Sequence, residues 1–309
     1  MGRMYYQAVS DCERRFMEGG PFYHLCTRPL EKVLLQSAAE MDVAMNLLAI
    51  AALASGIRLL AFALMNNHFH FIVEGEEGMA LAFYRDFRDR LAKCLARAGR
   101  FKDVMAAEAK AIPVENLKQL RDEIAYVIRN PFVSHKDVNL FSYRWCSGYL
   151  YFNGLQGIIQ EGTRVCDWPL ARRRVFNRSR DGAVDSRIRA IDGVALPECF
   201  TDYERAMSFF ENARQFILWT MKNVESQVDI AKRLGETIQL DDMELTQEIY
   251  RICRERFKAS SPKELMQESR VGLIRVLKYD YAASNRQISR CLGVSVGQVD
   301  AIFPLSAKG

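Results

Sequence analysis

The chain has 309 residues, 49% of them hydrophobic and 26% charged, which is room for one large or two ordinary domains of normal globular composition. Its cysteines at 12, 26, 94, 146, 166, 199, 253 and 291 show no C-x-x-C pair and no crowding, which excludes a small disulfide scaffold and implies reduced thiols in a cytoplasmic setting. A net charge of +5 decides little by itself.

In chain order, residues 1–16 lack the apolar core and small-residue cleavage site of a signal peptide. "PFYHLCT" reads as a strand, and residues 37–54 as an alanine- and leucine-rich helix. "IRLLAFAL" and "HFHFIVE" read as two strands joined at Asn66-Asn67, where asparagine tolerates the positive φ of a two-residue hairpin turn. Residues 43–65 are long and apolar enough to span a membrane, but Asn46, Ser55-Gly56 and Arg58 interrupt them. A buried helix, a break and a buried strand fit better, so no membrane partner is expected.

Strand alternation puts His68 and His70 on one face and Phe69, Phe71 and Val73 on the other. Two imidazoles side by side are half a metal site, or else two hydrogen-bonded histidines on a half-buried strand. The pair is expected to face a cleft. His24, on the first strand, is expected to play a hydrogen-bonding part beside the histidine strand.

Residues 79–97 form an amphipathic helix with Phe83, Phe87, Leu91, Cys94 and Leu95 on one face. A second amphipathic helix over residues 114–130 is expected to stop before Pro131. Its apolar stripe is Leu117, Leu120, Ile124, Val127 and Ile128, which sets Tyr126 on the polar side with Gln119, Asp122 and Asn130. The order β-α-β-β-α with an antiparallel hairpin predicts a compact α+β sheet domain over residues 1–150.

Residues 151–200 read as a linker or an extended DNA-contacting segment. Arginines 164, 172, 173, 174, 178, 180, 187 and 189 face only Asp167, Asp181 and Asp185 there, a local excess as large as the whole chain's surplus. Guanidinium groups match phosphate oxygens, so Arg172, Arg173, Arg174 and Arg178 are candidate nucleic-acid contacts, with a solvated charge run as the plainer reading. Residues 201–309 turn helical. Near their end Ser284 caps a helix closing at Leu292, Gly293 turns the chain, and Ser295 caps a second helix beginning at Val296. That is helix-turn-helix spacing around Ile288, Leu292 and Val299, with Ser295 and Gln298 where side chains reach base edges; Asp300 and the scarcity of basic residues on that helix argue the other way.

A histidine pair, a tyrosine with Asn130 one turn on, and a basic segment together suit phosphoryl transfer on a nucleic acid. "ALMNNHFHFIVEG" resembles the M-P-N-H-x-H signature of HUH single-strand DNA transposases. "YVIRNPFV" is similar to the Y-I-x-x-N-P-V segment of the REP-associated tyrosine transposase branch (IS200-like), and "GGPFYHLCTRPLEK" to that family's first strand. The resemblance covers residues 19–151, and Asn66 stands where the family has proline. It implies a ferredoxin-like antiparallel sheet with covering helices, the HUH nuclease core. His68, His70 and Asn130 would then hold Mg²⁺ or Mn²⁺, and Tyr126 would be the nucleophile that forms a 5′-phosphotyrosine link. It further implies an endonuclease and transposase that cuts and rejoins single-stranded DNA near hairpins, as a monomer or homodimer.

Two other readings compete. A non-catalytic, domesticated DNA-binding regulator keeps the fold without the chemistry. A hydrolytic H-x-H metalloenzyme needs further ligands, for which only His24 and His135 remain.

Overall fold

The computed structural model describes residues 10–30, 32–134, 142–152, 162–222, 224–234, 240 and 242–303; His135 lies outside them. The protein is α+β and divides into two compact units, residues 1–222 and 223–309.

The first unit is built on a four-stranded antiparallel sheet in the order β2-β3-β1-β4. Helix α1 (Asp11–Met17) leads into β1 (Phe22–Thr27), then α2 (Ala38–Ser55), β2 (Arg58–Leu64), β3 (Phe69–Glu74), α3 (Glu77–Leu95), α4 (Phe101–Met105), β4 (Ala109–Val114) and α5 (Leu117–Ser134). Ser37 caps α2 through the Glu40 N–H, and Gly56 ends it in the left-handed conformation at φ 68°. The break there returns the chain directly into β2.

The pleat separates two kinds of side chain on β3. Phe69 and Phe71 meet Phe83 and Phe87 of α3 edge-on, with ring centroids 5.4 to 5.7 Å apart, and all four are fully buried. The histidines point to the opposite face, which α5 covers. Helix α2 is the one described helix apolar enough by composition to cross a membrane. It is packed as a core helix against α3, with Met41, Ala44, Met45, Leu47 and Leu48 buried. Asn46, the polar interruption in that run, donates to the Gly193 carbonyl at 2.9 Å and accepts from the Ala195 N–H at 2.7 Å, so its amide is satisfied in the interior.

Three local expectations change. Strand β4, not expected from the sequence, completes the sheet; it runs through Pro113, which an edge strand tolerates because one side needs no N–H donor. With residues 109–114 in a strand, α5 begins at Leu117, and it continues to Ser134 with Pro131 inside its last turn rather than stopping before it. The Asn66-Asn67 turn is made without positive φ at either residue. It is closed by the Met65 N–H on the His68 carbonyl at 3.0 Å. The Asn66 carbonyl takes the N–H groups of Leu34 and Leu35 at 2.8 and 2.9 Å, while the Asn67 amide donates to the Leu30 carbonyl at 2.9 Å. The preceding segment fixes this turn, so no intrinsic left-handed preference is needed.

The stretch expected as a linker is in part ordered structure belonging to the first unit. Thr163–Arg164, Arg189–Ile191 and Val194–Ala195 form a small antiparallel sheet, and the helix Leu170–Asn177 packs on α2. Arg205 holds buried Glu74 of β3 at 3.0 Å, and the helix Ala213–Lys222 lies along α5 with the Trp219 Nε1–H on Asp122 at 2.7 Å. These bonds explain why the first unit runs on to residue 222.

The second unit is helical: Val224–Leu234, Asp242–Arg256, Gln267–Tyr279, Asn285–Leu292 and Val296–Ile302. Leu245, Ile249, Leu273, Leu277, Ile288 and Val299 are buried in it. Ser284 and Ser295 cap the last two helices, and Gly293 turns the chain at φ 65°, as the sequence predicts; Leu292 is only half-buried.

Candidate active site

Three elements converge on one polar cluster. Central strand β1 brings His24, the start of β3 brings His68 and His70, and α5 brings Glu123, Tyr126 and Asn130. The last three lie at i, i+3 and i+7, one stripe of a helix. Pairing of β1 with β3 sets His24 opposite Ile72 and Cys26 opposite His70, which puts the His24 ring diagonally beside that of His70.

The distances link these groups in a line. Glu123 Oε2 lies 2.8 Å from His24 Nδ1, His24 Nε2 lies 3.1 Å from His70 Nδ1, and His70 Nε2 lies 3.2 Å from the Asn130 amide nitrogen. His68 stands beside this line: its Nδ1 is 2.7 Å from Asn67 Oδ1, its ring is 4.9 Å from that of His70, and it hydrogen-bonds Asn130. The Tyr126 ring sits edge-on to both His70 and His24, with centroids 5.6 and 6.2 Å away.

The helix periodicity sets Tyr126 on the polar side of α5 with Asn130, and in the structure that side is itself covered. Tyr126 is 3% exposed and Asp122 6%, because the helix is covered on both sides, by the histidine face of the sheet and by the helix Ala213–Lys222. The stripe holding Tyr126 is polar because it faces polar partners. The histidine pair likewise does not open onto a wide cleft: His70 is fully buried and His68 is 8% exposed.

Burial sets the charge state. It pushes the His68 imidazole down from its ordinary 6.5 to about 4, against a smaller upward pull from the Asn130 hydrogen bond. His70 is held well below its ordinary value by burial first, then by the neighbouring imidazoles of His68 and His24. Both rings are therefore neutral at pH 7, the form that ligates a metal.

This predicts an acid-labile fold. A histidine with a depressed folded pKa binds its proton more readily in the unfolded chain, so stability present above pH 6.5 is lost as the pH falls toward 4. For His68 alone the loss is roughly 3 kcal/mol, by the linkage of about 1.4 kcal/mol per pKa unit. Thermal melts in chelator between pH 7.5 and 4.5 should show a steep fall in Tm that His68→Gln flattens. A parallel fall in both proteins would assign the lability to other groups.

Among the described residues no group of three or more His, Cys, Asp and Glu side chains is placed to hold a metal. The expected donor set is different: two imidazoles and one amide. His68 has Nδ1 engaged by Asn67 and His70 has Nδ1 engaged by His24, which leaves Nε2 of each as the nitrogen that would meet a ligand. Asn130 meets both rings, and its amide turned end for end would set Oδ1 beside His70 Nε2. Two neutral nitrogens and an amide oxygen suit Mn²⁺ better than Mg²⁺, which favours all-oxygen sites. The residues present thus fit the group.

No family model matches the chain, and no curated protein or solved structure is significantly similar to it.

The other sequence-predicted residues lie elsewhere. Arg172 stacks on Trp168, its guanidinium carbon 3.6 Å from the ring centroid; Arg174 and Arg178 are exposed and Arg173 half-buried. Within the same run Arg164 and Arg187 pair with Asp167 and Asp185, so part of the excess is neutralised locally. Ser295 and Gln298 form a capping box, with the Gln298 side chain accepting from the Ser295 N–H at 2.9 Å. Tyr143, another phenol near the site in sequence, is buried with its hydroxyl on the Leu64 carbonyl at 3.0 Å.

Sequence reasoning missed Glu123. Its signal was an acid three residues before Tyr126 within a run that is otherwise apolar, "EIAYVI", where a carboxylate needs a partner.

Proposed function

We propose that the protein is a metal-dependent single-strand DNA endonuclease and transposase of the HUH type, working through a covalent 5′-phosphotyrosine. The observation that carries this is the convergence of His68, His70, Asn130 and Tyr126, from two separate sequence motifs, in one cluster. The element order β1-α2-β2-β3-α3-β4 with sheet order 2-3-1-4 supports the ferredoxin-like core that the reading requires.

In this reading His68, His70 and Asn130 would hold a divalent cation, whose positive charge, when bound, would polarise the scissile phosphodiester. Tyr126 supplies the nucleophile. As its phenol loses a proton, a bond forms from Oη to phosphorus, the bond to the 3′-oxygen breaks, and that oxygen takes up a proton to leave as a hydroxyl. A phenol's ordinary pKa near 10 makes this slow without a neighbouring positive charge. Packing of the Tyr126 ring edge-on to His70 and His24 sets the direction of its phenol before the strand arrives. Rejoining is the same displacement run backward from the phosphotyrosine.

The basic helix and the last two helices are the DNA-contacting parts of this reading. Neutralising Arg172, Arg174 and Arg178 together should weaken single-strand binding and reduce the slope of log affinity against log salt by roughly 0.7 for each phosphate no longer neutralised. An unchanged slope would make the run a solvated surface. For the C-terminal helix pair, the capping role of Gln298 leaves its amide NH₂ for a base edge, as a helix-turn-helix requires.

A second reading, a regulator that binds DNA without cutting it, draws on the burial of Tyr126 and His70, which suits packing as well as chemistry. Incubating the chain with labelled single-stranded DNA from the sequence flanking its gene, with Mn²⁺, separates the two. A protein-linked 5′ fragment supports the enzyme, and binding without it supports the regulator.

A further inference from the structure

His24 and Glu123 take no part in the reaction above, yet both are fully buried and both are hydrogen-bonded in the line that ends at Asn130. We propose that they are positioning residues: a carboxylate–imidazole relay that holds His70 as its Nδ1–H tautomer and aims its Nε2 lone pair at Asn130. The inference rests on the metal-centre reading for its purpose, but the relay itself concerns the protein alone.

Donor and acceptor arithmetic sets the polarity. The proposed polarity starts from Glu123 as the carboxylate: it then only accepts, and the hydrogen between Glu123 Oε2 and His24 Nδ1, 2.8 Å apart, sits on His24 Nδ1. A neutral imidazole has one N–H, which leaves His24 Nε2 as an acceptor. The atom 3.1 Å away, His70 Nδ1, must then be the donor, and His70 Nε2 carries no hydrogen. One carboxylate on α5 therefore fixes the protons of two rings on two strands. All three side chains are sealed from solvent at 0% exposure, so water does not compete for these bonds.

With a metal on His70 the arrangement would be a carboxylate–histidine–metal triad lengthened by one imidazole, and such partners fix ring orientation and raise ligand basicity. His68 has its own, shorter version in the Asn67 side-chain oxygen, 2.7 Å from Nδ1. The reverse polarity, set either by a protonated Glu123 donating to His24 Nδ1 or by a doubly protonated His24, would put the hydrogen on His70 Nε2 and remove its donor lone pair.

The test is a long-range ¹H–¹⁵N correlation spectrum of the full chain labelled at its four histidines, in chelator, assigned by single-histidine variants. The relay predicts a protonated Nδ1 and an unprotonated Nε2 at His70. Glu123→Gln, whose amide oxygen still accepts, should keep that tautomer. His24→Phe should release it to a mixture and weaken Mn²⁺ binding, read by calorimetry, by about tenfold or more. A merely structural role for the pair would change stability without moving the tautomer. A protonated Nε2 in the wild type, or a His24→Phe variant with the wild-type tautomer and Mn²⁺ affinity, overturns the proposal; the wild-type spectrum decides even if a variant fails to fold. If the wild type shows the predicted tautomer yet takes up no Mn²⁺, the relay stands and the metal-centre reading falls.

Discussion

Tyr126→Phe is expected to leave the chain folded and able to bind single-stranded DNA, yet unable to form any covalent adduct. The ring is 3% exposed and packs edge-on to His70 and His24, and phenylalanine fills the same space in the same rotamer. What is lost is one hydroxyl. Its hydrogen bonding is worth about 1 kcal/mol of stability, so Tm should shift by a few degrees at most. The reacting atom, by contrast, is gone, and no residual rate through this site is expected. Tyr143 does not substitute: its hydroxyl is bound to the Leu64 carbonyl, and burial pushes the phenol well above its usual range. The check is a denaturing gel of wild type and variant on the same labelled strand, with a melting curve of each.

The second large effect belongs to His68. His68→Ala should lower cleavage by about 10²-fold or more, because it removes a ligand rather than a supporting group, and supporting groups alone are worth roughly 10- to 100-fold. It should also lower Mn²⁺ affinity in calorimetry. His68 is the better probe of the pair. It stands outside the Glu123–His24–His70 line and is 8% exposed, so its removal should disturb the fold less than that of His70. His70→Ala would strip a fully buried ring of its bond to His24, leaving a cavity and an imidazole whose partner is gone, and so would confound folding with chemistry. Wild-type cleavage by His68→Ala with unchanged Mn²⁺ affinity would remove the metal role.

The parts legible in the sequence are those that local patterning determines. The alternation of HFHFIV separates the phenylalanines that meet α3 from the histidines that face α5, and the serine caps and glycine turns mark α2 and the last two helices within a residue. The parts that are not legible depend on partners distant in the chain. Strand β4 looks unlike a strand because Pro113 interrupts it, and it forms because β1 has an edge to pair. Tyr126 reads as lying on the polar stripe of α5, but periodicity shows only that a stripe is polar and not what covers it, and here the covering groups are His24 and His70, 102 and 56 residues earlier in numbering. Glu123 shows in the sequence only as an acid in an apolar run, without its partner. Its meaning comes from a histidine on another strand that no window along the chain contains.

The central claim, that Tyr126 attacks phosphorus at a site built by His68, His70 and Asn130, is tested most directly by locating the adduct. The full chain would be incubated with Mn²⁺ and single-stranded hairpin DNA from the flanking sequence, digested with nuclease and trypsin, and read by mass spectrometry. Cleavage after Arg121 and Arg129 releases "DEIAYVIR", in which Tyr126 is the one tyrosine. The account predicts a phosphonucleotide mass on this peptide that needs the metal and is absent from Tyr126→Phe. Unmodified Tyr126 in a chain that binds both Mn²⁺ and this DNA, or a metal-dependent adduct on a different tyrosine, would contradict it.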